Sequence, residues 1–158
     1  MFASTRSIFA ILFFAMALSS LSAQESFTHE GSGLTFTLPA GWTYTHEEDH
    51  FEASSPDESV ALLFFVGHGS EVGAAIDGAV DELSYLMQDP KITTELTEAR
   101  INGLVQTFVE GDGVMEDVVM DWDLTLIQGS RRSMVIVAIG DIEGNQRAID
   151  GIYQSIRE

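Results

Sequence analysis

Two runs of apolar residues limit this chain more than anything else in it. Val60-Ala61-Leu62-Leu63-Phe64-Phe65-Val66 has no polar position at all, and Met134 to Ile139 repeats the pattern after Ser133. Successive side chains of a strand point to opposite faces of its sheet, so a strand apolar at both parities has no side to give to water. Each run is too short to cross a bilayer as a helix. Both are therefore expected to be strands covered on both faces.

The intervening sequence supplies the covers and the neighbouring strands. Leu34-Thr35-Phe36-Thr37-Leu38 alternates with period two and is stopped by Pro39, reading as a half-buried strand followed by a turn at Ala40-Gly41. Trp42-Thr43-Tyr44 and Phe51 to Ser54 pair as a hairpin around the acidic tip Glu47-Glu48-Asp49. After the Gly67-His68-Gly69 break, Val72, Ile76, Ala79, Val80, Leu83 and Met87 fall on one helical stripe, with Ser70 as the expected N-cap and Pro90 as the stop. Ile92 to Ile101 reads as an edge strand, and Asn102-Gly103 is a strong two-residue hairpin signal before Leu104 to Glu110. Gly111-Asp112-Gly113 reads as a turn. Val118, Met120, Trp122, Leu124 and Leu126 then face a core, with Asp121, Asp123 and Thr125 on a wet face. Ala148, Ile149, Ile152 and Ile156 define a C-terminal amphipathic helix. The expected fold is α+β: a twisted antiparallel β-sheet packed with helices, sandwich-like, in one domain over residues 34–158, preceded by a flexible arm over residues 24–33.

Residues 1–23 read differently. Arg6 precedes an uncharged apolar core from Ile8 to Leu18, and Leu21-Ser22-Ala23 offers small residues before Gln24, the layout of a cleaved secretory signal peptide. The expected location is extracytoplasmic, a bacterial periplasm or the medium, with no membrane insertion after cleavage. There is no Cys, which excludes disulfides, thiol catalysis, cysteine-ligated zinc and a lipidated N-terminal cysteine. Arg6 is one of 7 basic residues, so the remainder carries 6 against 25 acidic ones, a balance of −19. Nucleic acid and anionic lipid surfaces would repel such a chain.

The stretch Leu34-Thr-Phe-Thr-Leu-Pro-Ala-Gly-Trp42, the apolar strand and helix after it, Asn102-Gly103, and the last apolar strand leading to Ile152-Tyr-Gln-Ser-Ile156 together resemble the PsbP-like superfamily. That group includes bacterial DcrB-type exported proteins, the photosystem II extrinsic protein and eukaryotic Ran-binding relatives. The resemblance implies an antiparallel sheet between helices and a non-enzymatic binding or assembly role through protein contacts. It transfers no catalytic residue, and the signal peptide sets the nuclear Ran-binding branch aside.

One segment competes with that expectation. His46-Glu47-Glu48-Asp49-His50 matches the H-E-x-x-H pattern of zinc peptidases, which needs a helix so that both His share a face beside the Glu. The flanks Trp42-Thr-Tyr-Thr and Phe51-Glu-Ala-Ser-Ser-Pro favour strands and turns, so a solvated hairpin is expected, with a metal-dependent hydrolase as the alternative. His68 sits between two glycines without a nucleophile-elbow context. Asp112, Glu116, Asp117, Asp121 and Asp123 fail the spacing of a calcium loop, though an acidic envelope protein that binds cations is a further alternative. No catalytic, cofactor or metal-binding residue is expected.

Overall fold

The computed structural model describes residues 24–158. The signal-peptide reading falls on residues 1–23, outside the described residues. The rest forms a two-stranded and an eight-stranded antiparallel sheet with two helices, confirming the α+β expectation. The strands are β1 (Glu25–Thr28), β2 (Thr35–Leu38), β3 (Thr43–His46), β4 (Phe51–Ser54), β5 (Val60–Val66), β6 (Gln88–Ile92), β7 (Thr97–Ile101), β8 (Leu104–Met115), β9 (Val118–Gln128) and β10 (Ser133–Gly140). The helices are α1 (Val72–Leu83), between β5 and β6, and α2 (Ile142–Ser155), after β10. The large sheet runs β3-β4-β5-β10-β9-β8-β6, and β7 also pairs with β8.

The two apolar runs, β5 and β10, are neighbours at its centre, registered from Met134 opposite Val66 to Gly140 opposite Val60. One parity of these strands (Leu62, Phe64, Met134, Ile136, Ala138) packs beneath α2 and the β1–β2 hairpin, with Ile149 and Ile152 from the helix. The other parity (Leu63, Val135, Val137, Ile139) meets Ala75, Ile76, Ala79 and Leu83 of α1. Two separate cores result, as the demand for cover on both faces required.

Residues 24–33 are not a loose arm. Glu25 to Thr28 pairs with β2, and the Phe27 ring lies within 5.6 Å, centroid to centroid, of Phe36, Tyr44 and Phe51. Phe36 stacks in turn on Phe64 at 4.3 Å. A single aromatic in a polar stretch gives no periodicity, but several ring contacts hold the strand down. On the far side, β2 is tied to the last residues by Thr35 N–H to Arg157 O at 2.7 Å and Arg157 N–H to Thr35 O at 3.0 Å.

Other boundaries moved for local reasons. Glu71, not Ser70, is the N-cap of α1, without a side-chain capping bond. The helix ends at Leu83 rather than near Pro90, which sits in edge strand β6, where a missing N–H is tolerated. The stretch Ile92 to Ile101 is not one strand: it runs from the last residue of β6 through a break at residues 93–96 into β7, and the two strands lie end to end along the long β8. Asn102-Gly103 makes the expected turn, both residues at positive φ. Gly111-Asp112-Gly113 is no turn: β8 continues through it to Met115. Gly111 lies opposite Trp122, and a Cβ there would run into the indole and the Lys91 carbonyl. The glycine serves close packing, not reversal.

Candidate functional site

The H-E-x-x-H segment folds as the β3–β4 hairpin. His46 closes β3 opposite Phe51, and Glu47 N–H to His50 O at 2.9 Å closes the loop. With no helix there, the two imidazoles and Glu47 lack the arrangement a zinc peptidase uses. His50 Nδ1 instead meets Asp49 Oδ1 at 2.8 Å, which holds the Asp49 carboxyl below its ordinary range. His46 packs edge-on to Phe51 and lies near His29. Burial, then the neighbouring His46, lowers the pKa of His29, whose Nδ1 is 2.8 Å from Ser32 Oγ. Among the described residues no three His, Asp or Glu side chains converge as a metal site. His68 is exposed on the connection into α1.

The strand face expected to be wet is partly covered. Thr125 is fully buried and Asp123 half-buried beneath α2, where the buried Tyr153 hydroxyl makes no geometrically sound hydrogen bond. The cause is the C-terminal helix, whose Tyr153 reaches across β9. Register sets Glu110 opposite Asp123 and Asp112 opposite Asp121. Like charges directly across an antiparallel pair repel. Burial, then Glu110, then Asp121 raise the Asp123 carboxyl to about 6. Asp112 escapes through Lys91 Nζ at 3.3 Å. Burial also pushes the Tyr153 phenol above its usual value, despite Thr125 beside it.

A shallow groove of about 670 Å³ runs along α2 beside β2, lined in part by Arg147, Arg157, Gln24 and Asn145. Near its end, Asp57 accepts from Ser55 Oγ and Ser59 Oγ at 2.7 and 2.8 Å, which holds its carboxyl at about 2. This network shapes the β4–β5 turn and receives Asn145 Nδ2 from α2 at 2.9 Å from Ser59 Oγ.

The feature that the sequence did not disclose is the far end of the β8–β9 hairpin. β10 pairs with β9 only from Trp122 to Gln128, so Val118 to Asp121 have β8 on one side and, among the described residues, no strand on the other. Val118 is 57% and Val119 68% exposed. Adjacent strand residues point to opposite faces. Exposure of both means that the ribbon has left both helical layers. Its turn, Glu116-Asp117, has both residues at positive φ, 50° and 63°. Tyr85 and Leu86, also exposed, lead into β6 at this same end, where Gln88, Val114 and Val119 form one row across the sheet. Periodicity alone had put Val118 with the core residues of β9. Nothing in its sequence shows that the covering helix stops short.

A sheet with this order, a helix on each face and a hairpin over one end matches known structures across most of its length. The chain has a PsbP-like fold. It is similar to the solution structure of the cyanobacterial PsbP of Synechocystis, with a TM-score of 0.62, 10% identity, and 89% of this chain and 95% of that one aligned. LpqN, a Mycobacterium tuberculosis protein involved in cell envelope biogenesis, gives a TM-score of 0.52 at 11% identity over 86% of this chain and 91% of its own. A Bacteroides thetaiotaomicron protein gives 0.59 at 13% identity over 87% of this chain, which spans about half (48%) of that protein. No protein-family model matches the sequence, and no curated protein matches it significantly. At these identities the PsbP-like likeness speaks for the fold alone. No helix among the described residues is long and apolar enough to cross a membrane.

Proposed function

We propose that this protein is an exported, non-enzymatic accessory module that works in the cell envelope or outside it by docking onto another protein. The observation that carries the reading is the exposed apolar end of the sheet. Val118 and Val119 are exposed on opposite faces of the projecting hairpin, Val114 is half-buried opposite Val119, and Tyr85 and Leu86 are exposed on the segment that leads into β6 at the same end. A gathered apolar patch rimmed by charge is characteristic of an interaction surface, whereas scattered single residues are not. Support also comes from the signal-peptide layout of residues 1–23 and from the fold shared with LpqN, a protein tied to envelope biogenesis. The acidic balance of −19 fits a protein partner and opposes nucleic acid.

The test is purification from the native envelope after mild crosslinking, with quantitative comparison against an untagged strain. A protein partner recovered in near-stoichiometric amount is the expected result. Recovery of the chain alone from crosslinked envelopes would sink the reading. Elemental analysis of untagged protein addresses the hydrolase alternative: stoichiometric zinc that survives dialysis would favour it.

A further inference from the structure

We infer that the free edge of β9, Val118 to Asp121, accepts an added strand from a partner whose contacting segment alternates basic and apolar residues. The inference rests on the docking role proposed above and specifies its mode.

Three observations carry it. The first is the unpaired edge. β10 turns away at Gly140, and every second residue of Val118 to Asp121 directs its N–H and C=O to the side where no strand of the described residues pairs. Unpaired edges are templates for strand addition, in which main-chain bonds supply affinity and alternate side chains specificity. The second is the exposure of Val118, whose face of the ribbon also carries Met120 and gives the apolar row of an incoming strand its contact, while Asp121 stands on the opposite face with Asp112 across from it. The third is charge. Glu116 and Asp117 form the turn, Asp121 closes the edge opposite Asp112, and Lys91 pairs with Asp112 from β6, two strands away. A second copy of this chain would bring Glu116, Asp117 and Asp121 against their equivalents, so the charge argues against self-pairing. It also argues against insertion into an anionic membrane. A Lys- or Arg-bearing strand is matched in sign and is steered in by the overall negative field.

The probe is an acetylated Lys-Val-Arg-Val-Lys-Val amide, with an analogue carrying Glu at the basic positions and one N-methylated at alternate amides. Amide chemical shifts of the isotope-labelled mature protein report where the peptide sits, and fluorescence anisotropy reports affinity. Expected are shifts confined to Val118 to Asp121 and the residues across from them, with affinity falling as salt rises. The Glu and N-methylated analogues should lose binding. Val118→Asp should weaken it at least about tenfold at unchanged Tm, and Val118→Thr, which keeps the strand preference, should retain most of it. Shifts on β3 or along the α2 groove, indifference to N-methylation, a dimer through this edge in sedimentation, or equal binding to anionic vesicles would each overturn the inference. Val118→Asp that still recovers the envelope partner removes strand addition while leaving the accessory role standing. Loss of any partner in the wild type removes the role itself.

Discussion

Replacing Asp123 with Asn should stabilise this protein at neutral pH and do little in acid. The folded carboxyl titrates at about 6 against an ordinary 3.8 because α2 covers it and Glu110 and Asp121 repel it. The folded state therefore binds the proton more tightly than the unfolded chain. Stability is greatest below the unfolded value, declines as pH rises through 6, and carries the whole penalty above about 7. A fully desolvated group shifted by about two units would cost roughly 3 kcal/mol at about 1.36 kcal/mol per unit. Asp123 is only half-buried, and solvent screening brings the figure to about 1–1.5 kcal/mol. Asn keeps the shape and removes the charge, so Asp123→Asn should gain that amount near pH 7.5. Unfolding in urea, followed by fluorescence of the buried Trp122, measures it, and the corresponding Tm shift is roughly 3–5 °C for a domain of this size. Below about pH 3 the two proteins should coincide. Glu110→Gln should give a smaller gain, and the double variant less than the sum, since both act on one repulsion. An equal gain at both pH values, or a loss at neutral pH, would refute the electrostatic explanation.

Three further outcomes follow from packing. Phe27→Ala should cost about 1–3 kcal/mol in chemical denaturation and expose the β1–β2 turn to limited proteolysis, because the ring pins that hairpin to Phe36, Tyr44 and Phe51. Gly111→Ala should lower stability by about 1–3 kcal/mol and shift Trp122 emission, since the added methyl meets the indole and a backbone carbonyl. The pair His46→Ala and His50→Ala should leave the Tm nearly unchanged, because both side chains stand on an exposed hairpin; a large loss in differential scanning calorimetry would contradict that placement.

What could be read from the sequence was what repeats along it. The double-sided apolar runs located β5 and β10, and with them the three-layer arrangement, because burial on both faces leaves its mark at every residue. The Asn102-Gly103 turn was legible for the same local reason: two consecutive positive φ values suit few other pairs. Gly111 misled because a glycine that bends the chain and one that makes room for a tryptophan on the next strand are identical in sequence. Phe27 and Asp123 depend on partners distant in the chain, an aromatic cluster and a tyrosine on the last helix. The projecting end of β9 depends on where β10 stops, and no pattern within β9 records that.

The reciprocal bonds between Thr35 and Arg157 also bear on how such a chain acquires its shape. The two ends of the domain hold each other, and Ile149, Ile152 and Ile156 fill the same core as Leu34, Phe36 and Leu38. A growing chain can zip β8 to β9 as a local hairpin early, but it cannot lock its first strands until Ile149 to Arg157 have been made. A domain closed in this way cannot complete this core until both of its ends are present, because the core needs side chains from each.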